Sequence, residues 1–193
     1  MKLYVSSVLA VLSALMFGTS TAAVAAPASA VASGAKASPS EFKQIPWEDL
    51  IPKDWDPYKG LNDKNVGMLN DGTVQAMQLM RDLRQVWDNA PANAAMDGAA
   101  VKLPGYVVPL EETKAGLKEF LLVPYFGACI HSPPPPANQI IHVFATKPAK
   151  GFRAMDAVWV SGVLKAFRQD SYMGMSGYTM DAAAVDRYVP PAK

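Results

Sequence analysis

Cysteine and histidine are scarce in this sequence. Its 193 residues include one cysteine, Cys129, and two histidines, His131 and His142. A single cysteine cannot form an intrachain disulfide, so the fold must be stabilised by packing. The sequence also has no cysteine pair at redox-motif spacing and no paired histidine-glutamate motif of a metalloprotease helix. Every thiolate or imidazole ligand is confined to residues 129–142, and this is where we expect a chemical site.

The chain also lacks an excess of charge and a second long apolar run. Lys2 precedes an apolar run from Leu3 to Phe17, and Ala23-Val24-Ala25 supplies an A-x-A cleavage signal, so we predict a signal peptide over residues 1–25. Its removal takes away one lysine and no acidic residue, which leaves no net charge and argues against a nucleic-acid partner. No later stretch approaches the roughly 20 apolar residues that span a bilayer. No cysteine near the cleavage site could carry a lipid anchor. We therefore predict a soluble periplasmic protein.

Composition divides the remaining chain into a linker and one domain. Residues 26–41 are rich in alanine, serine and proline and are predicted to form a flexible linker. Residues 42–193 are predicted to form a single domain, helical over 42–100 and a β-barrel over 101–190. In the helical part, Asp71 is predicted to cap a helix that ends at Asn89-Ala90-Pro91. Its apolar stripe would comprise Ala76, Met80, Leu83 and Trp87, with Leu79 and Val86 beside it.

Short β-rich runs dominate the sequence from Val101 onward. The predicted strands are Gly105–Leu110, Glu119–Val123, Gln139–Ala145, Ala157–Leu164, and Gly177–Met180 with Val185–Val189 as a last strand. No helix-length connection separates them, which favours a small barrel over a parallel sheet. The predicted fold class is mainly β with N-terminal helices (α+β), with a five-stranded barrel like that of oligonucleotide/oligosaccharide-binding (OB) folds.

The stretch around Cys129 has the pattern of a metal site. In an extended segment, residues two apart point to the same side, so Cys129 and His131 could both face one ion. The four prolines 133–136 favour a stiff polyproline II loop. Asn138 and Gln139 could hydrogen-bond this loop or orient a ligand. His142 follows on the returning strand, where alternation places it on the face opposite Ile141 and Val143.

A further ligand could come from a carboxylate or a thioether. Glu111 and Glu112 follow a predicted strand and could offer oxygen, whereas Met173 and Met175 could offer sulfur. Cysteine, histidine and a carboxylate favour zinc, while cysteine, histidine and methionine favour cuprous copper. The choice between zinc and copper stays open at this point.

Four segments also carry a family resemblance. They are Leu103-Pro104-Gly105-Tyr106-Val107-Val108-Pro109-Leu110-Glu111, Phe120-Leu121-Leu122-Val123-Pro124, the string from Cys129 to Gln139, and Val158-Trp159-Val160-Ser161-Gly162. The sequence resembles the bacterial envelope family known as domain of unknown function 3299. The resemblance implies an exported or lipid-anchored protein with an OB-like barrel, sometimes placed near ABC-type transport components and linked to metal supply. It implies no established activity.

Three function classes follow from these observations. The leading prediction is a non-enzymatic periplasmic protein that binds zinc or Cu(I) through Cys129, His131 and His142 and assists envelope transport or metal homeostasis. A second is an accessory module that binds a protein partner through the proline loop without metal. A third is a thiol enzyme or redox protein with Cys129 as nucleophile and His142 as base. In the simplest alternative, Cys129 is a small buried apolar residue and His142 only packs on a strand face.

Overall fold

The computed structural model of the chain describes residues 42–58, 72–130 and 134–189. The predicted signal peptide and linker, the predicted helix cap Asp71, and the predicted ligand His131 lie outside these residues. Within the described ranges, none of the helices is long and apolar enough to cross a bilayer.

Five strands close into a barrel. They are β2 (Ala100–Thr113), β3 (Gly116–Val123), β4 (Ile141–Ala149), β5 (Ala157–Lys165) and β8 (Tyr178–Arg187). Neighbours follow the order β2-β3-β4-β8-β5, and pairing of β5 with β2 closes the ring. Only β4 and β8 run parallel among these pairs. The prediction of a mainly β fold with a small five-stranded barrel preceded by a helix is confirmed.

Three short strands accompany the barrel. β1 (Lys43–Gln44) pairs in parallel with the start of β2. β6 (Gln169–Ser171) and β7 (Gly174–Ser176) form a separate hairpin between β5 and β8. The sequence did not predict this hairpin, because its strands have three residues each and show no clear alternation. The two segments predicted for the last strand, Gly177–Met180 and Val185–Val189, belong largely to one continuous strand, β8.

The helix α1 (Val74–Asp88) differs from the predicted helix in two ways. Its N-cap is Thr73, whose hydroxyl accepts a hydrogen bond from the Ala76 amide. Leu79 is its buried residue, whereas Met80, predicted on the core stripe, is 61% exposed. The other predicted residues of this face, Ala76, Leu83, Val86 and Trp87, are partly buried, so the correction to the stripe concerns Met80 alone. Asn89 caps the C-terminus, as the sequence predicted.

Apolar side chains form two clusters, one inside the barrel and one on its outer face. The interior includes Val107, Phe120, Leu122, Ile141 and Val143. What we call the outer cluster comprises the buried residues Val108, Leu121, Val123, Ala128 and Ile140. Because successive strand residues point to opposite faces, β2 and β3 contribute to both clusters, and Ile140, the residue before β4, joins the outer cluster. This double burial explains why these strands read as almost continuous apolar runs.

Candidate functional site

His142 lies on the outer face of β4. Its strand partners are Leu121 on β3 and Thr179 on β8. The residue is 2% exposed, and its ring stacks on Phe144 at a centroid distance of 4.7 Å. The adjacent Ile141 and Val143 point into the barrel, so the predicted alternation of β4 is observed.

The two ring nitrogens of His142 have different surroundings. Nε2 lies 2.5 Å from Oε1 of Glu119. Among the described residues, Nδ1 is buried and has no hydrogen-bond partner. A carboxylate can only accept hydrogen bonds, so in the neutral form of the ring Nε2 carries the proton and Nδ1 has a free lone pair. A buried acceptor without a partner is uncommon in folded proteins and calls for an explanation.

Cys129 lies at the edge of the outer cluster. It is partly buried and packs against that cluster from the loop between β3 and β4. Its φ of 64° places a non-glycine residue in the left-handed region, which is uncommon and often marks functional sites. Burial raises the pKa of the thiol from 9.0 to about 11, and the positive charge of Arg84 opposes this shift. The thiol is therefore protonated at neutral pH, which does not favour an activated nucleophile.

The end of the proline loop is anchored to neighbouring segments. A 3₁₀ turn at Ala137–Gln139 follows the prolines, and the Ala137 carbonyl accepts a 2.6 Å hydrogen bond from the Gly177 amide. Asn138 is fully buried and donates through Nδ2 to the Pro91 carbonyl, while Gln139 donates to the Trp47 carbonyl. These two amides hold the loop to the N-terminal segments, and neither contacts His142 in the described hydrogen bonds.

The further predicted ligands fall into separate environments. Glu111 pairs with Lys118 at 3.2 Å, and both side chains are about half exposed. Met173 is partly buried and packs against the outer cluster, as Cys129 does. Met175 is partly buried on β7, and it is not among the residues that pack on the outer cluster. Of these three residues, Met173 therefore shares a packing environment with Cys129.

The described residues contain no group of three or more His, Cys, Asp or Glu side chains that could hold a metal ion. His131 lies outside these residues. The structure places Cys129 and Met173 against a cluster that includes Ile140, which precedes His142 by two residues on the same face of the chain.

An aromatic groove is a feature that the sequence did not predict. It has a volume of about 210 Å³ and is lined by Trp47, Pro104, Gly105, Tyr106, Pro124, Ala157 and Tyr188. The indole of Trp47 donates to the Pro104 carbonyl at 2.7 Å, which fixes one wall. Phe126 contacts Tyr106 edge-on and remains 64% exposed. These residues come from distant parts of the chain, so no local pattern in the sequence identifies the groove.

The strand order and closure define a small OB-like barrel. A comparison of the sequence with known families identifies the family of this barrel. The chain belongs to the family described as protein of unknown function (DUF3299), whose sequence model matches residues 47–187. It is similar to the crystal structure of a DUF3299 family protein from Pseudomonas aeruginosa PAO1, with 34% identity and a TM-score of 0.61 over 78% of this chain and 99% of that one.

Two more distant structures are also similar to parts of the chain. An OBody bound to hen egg-white lysozyme shares 12% identity at a TM-score of 0.32, over 48% of this chain and 84% of that one. An aspartyl tRNA synthetase from Entamoeba histolytica shares 10% identity at a TM-score of 0.33, over 81% of this chain and 27% of that one. These similarities are too low to bear on function. No curated protein matches the chain.

Proposed function

We propose that this DUF3299 protein is a non-enzymatic protein of the bacterial periplasm that binds a transition metal on the outer face of its barrel. The ligands are the Cys129 thiolate, the His142 imidazole and the predicted ligand His131. The periplasmic location rests on the predicted signal peptide. The bound metal would serve envelope transport or metal homeostasis.

The unpartnered Nδ1 of His142 is the observation that carries this proposal. Metal-binding histidines usually donate their other ring N–H to a carboxylate, which fixes the tautomer and raises the basicity of the free nitrogen. Glu119 occupies that position on Nε2 of His142. A metal ion on Nδ1 would satisfy the buried lone pair that the described residues leave without a partner.

The surroundings of Cys129 support the same proposal. The raised pKa of the thiol means that burial disfavours a free thiolate. A metal ion supplies the positive charge that such a thiolate needs, and its binding releases the thiol proton. The anchored end of the proline loop limits the reorganisation required on binding, because the loop is already held at Ala137, Asn138 and Gln139.

Metal binding by single-residue variants tests the proposal. The untagged chain without its leader, purified without chelator, is expected to bind one metal ion, whereas Cys129→Ser and His142→Ala lose at least about 100-fold in affinity. Asp170→Asn serves as the control, because Asp170 is an exposed acidic residue on β6. Circular dichroism checks that each variant is folded. Unchanged zinc and copper affinities in both Cys129→Ser and His142→Ala would overturn the proposal.

The aromatic groove favours a second candidate function, the binding of a proline-rich peptide segment of a protein partner. Trp47, Tyr106 and Tyr188 line it without a charged side chain, and grooves of aromatic residues are the usual receptors for polyproline II segments. Titration with a decaproline peptide, followed by tryptophan fluorescence, should saturate for the unaltered protein and not for Tyr106→Ala. Phe167→Ala, a change at an exposed aromatic residue away from the groove lining, is the control. Equal behaviour of all three proteins would exclude this function.

A further inference from the structure

The parallel strands β4 and β8 separate before either of them ends. Their last paired residues are Ala145 and Ala182, whereas β4 continues to Ala149 and β8 continues to Arg187. Beyond Ala182, β8 stays paired with β5 on its other side. Within the described ranges, no strand pairs with residues 183–187 on the side that faces β4. This part of β8 therefore has an open edge, whose backbone groups can pair with another chain.

The sequence of β4 explains why the two strands separate. Pro148 has no amide hydrogen, so it cannot donate to a strand ladder. The strand is also irregular here, because residues 145–148 lie opposite Lys118 alone, between the pairs Phe144–Glu119 and Ala149–Leu117 with β3. Lysine and proline side chains on a strand edge oppose further pairing. The edge that is open to pairing is therefore that of β8.

Contacts at both ends fix the cleft between the separated strands. The cleft has a volume of about 320 Å³ and is lined by residues 147–150 and Phe152 on one side and by residues 182–186 on the other. Where the strands separate, Thr146 Oγ1 donates to the Ala182 carbonyl at 2.7 Å. At the far end, Arg187 donates to the Gly151 carbonyl at 2.9 Å, and its guanidinium lies 5.3 Å from the centroid of the Phe152 ring. A site held in shape before binding loses less conformational freedom on binding.

The charges on the cleft favour an anionic occupant. Lys147 and Lys150 are exposed on the wall opposite β8, and neither takes part in the ion pairs of the described residues. Against these two ammonium groups, the described lining has the carboxylate of Asp186. Val185 packs against the barrel interior, so Asp186, the next residue of the strand, points the other way. The cleft is therefore positively charged.

We propose that this cleft binds an extended acidic peptide segment of a protein partner. The segment adds a strand along residues 183–187, and its carboxylates pair with Lys147 and Lys150 on the opposite wall. The small side chains of Ala183 and Ala184 leave the backbone of this edge accessible to the added strand. The site shares no residue with the proposed metal site, so the two proposals stand or fall independently.

Fluorescence anisotropy of a labelled peptide tests this proposal. The probe is a short peptide in which glutamate and valine alternate, and a matched probe carries lysine in place of glutamate. We expect the glutamate peptide to bind saturably and at least about tenfold more tightly than the lysine peptide. Lys147→Glu combined with Lys150→Glu should weaken its binding at least about tenfold.

The control combines Lys43→Glu with Lys53→Glu. It makes the same change of charge at two exposed lysines that do not line the cleft, and it should bind the glutamate peptide as the unaltered protein does. Circular dichroism checks that both double variants are folded. Absence of saturable binding, or equal losses in the two double variants, would overturn the proposal.

Hydrogen exchange locates the bound peptide. The amides of residues 183–187 that face β4 should exchange more slowly with the glutamate peptide, and the same peptide N-methylated at every residue should bind at least about tenfold more weakly. Slower exchange at Trp47 and Tyr106 instead would place the peptide in the aromatic groove and overturn the proposal. If the same edge amides are already protected in the free protein and it sediments as a dimer, a second copy occupies the edge, which also overturns it.

Discussion

Glu119 controls the ring of His142 through a single contact. In the neutral ring its carboxylate favours the tautomer with the proton on Nε2, which leaves Nδ1 as an acceptor. We predict that Glu119→Ala weakens the metal binding proposed above by about 10-fold to 100-fold. Glu119→Gln, whose amide oxygen still accepts from Nε2, should retain most of the affinity. The measurement is competition with a chelator, and equal affinities of Glu119→Ala and the unaltered protein would reduce Glu119 to a structural partner.

The alkylation rate of the Cys129 thiol tests whether this side chain is buried in solution. Because its pKa is raised to about 11, the thiolate fraction of the metal-free protein should increase about tenfold per pH unit from pH 7 to pH 10. The rate of iodoacetamide alkylation should follow this increase without levelling off. Glutathione under the same conditions is the reference for an exposed thiol. A rate that levels off between pH 9 and pH 10, as a thiol with the ordinary pKa of 9.0 would give, would show that the thiol is not buried in solution.

At the scale of elements, the orientation of α1 can be tested by two neighbouring residues. Leu79 is 6% exposed and Met80 is 61% exposed. We predict that Leu79→Ala lowers the free energy of unfolding by about 2 to 4 kcal/mol, because it leaves a cavity. Met80→Ala should change it by less than about 0.5 kcal/mol. Urea denaturation measures both values, and equal losses would contradict the helix orientation described above.

The elements also show how far sequence reasoning extends. The five barrel strands could be predicted because β-rich runs such as Phe120–Val123 are local signals. Strand alternation predicted that His142 faces away from Ile141 and Val143. Its contact with Glu119 could not be predicted, because that contact depends on the register of β3 against β4. Leu79 and Met80 are adjacent apolar residues, so helical periodicity alone could not decide which one is buried.

The contacts of the proline loop, like the contact of His142 with Glu119, could not be predicted from the sequence. Its stiffness could be inferred from four consecutive prolines. The attachment of Asn138 to Pro91 and the approach of Gly174 on β7 to Pro134 are contacts between distant segments. Such contacts depend on how the elements pack, so the sequence alone could not place this loop.

At the scale of the whole molecule, Tyr178 joins the barrel to the segments before it. It is fully buried at the start of β8. Its hydroxyl donates to the Leu50 carbonyl at 2.7 Å and accepts from the Asn93 amide at 2.5 Å. Asn93 in turn donates through Nδ2 to the Asp49 carbonyl. One phenol therefore satisfies backbone groups from two segments that precede the barrel in sequence.

We predict that Tyr178→Phe lowers the free energy of unfolding by about 1 to 3 kcal/mol, because the buried Leu50 carbonyl and the partly buried Asn93 amide lose their hydrogen bonds to the phenol. Tyr172→Phe is the matched control, since Tyr172 is 77% exposed and also donates to a backbone carbonyl, that of Pro109. Urea denaturation at pH 7 provides the measurement. A loss for Tyr178→Phe no larger than that for Tyr172→Phe would contradict this role.

Ionisation of the same phenol should make the free energy of unfolding depend on pH in the alkaline range. Burial raises the pKa of Tyr178 from 10.0 to about 12, and the hydrogen bond from the Asn93 backbone opposes the shift. The folded state thus favours the neutral phenol, and the stability contributed is complete below about pH 10 and is lost as the pH rises toward about 12. Because Tyr178→Phe has no ionisable group at this position, the difference in urea midpoint between it and the unaltered protein should shrink over that range. A constant or growing difference between pH 9 and pH 11.5 would show that Tyr178 does not titrate as a buried phenol.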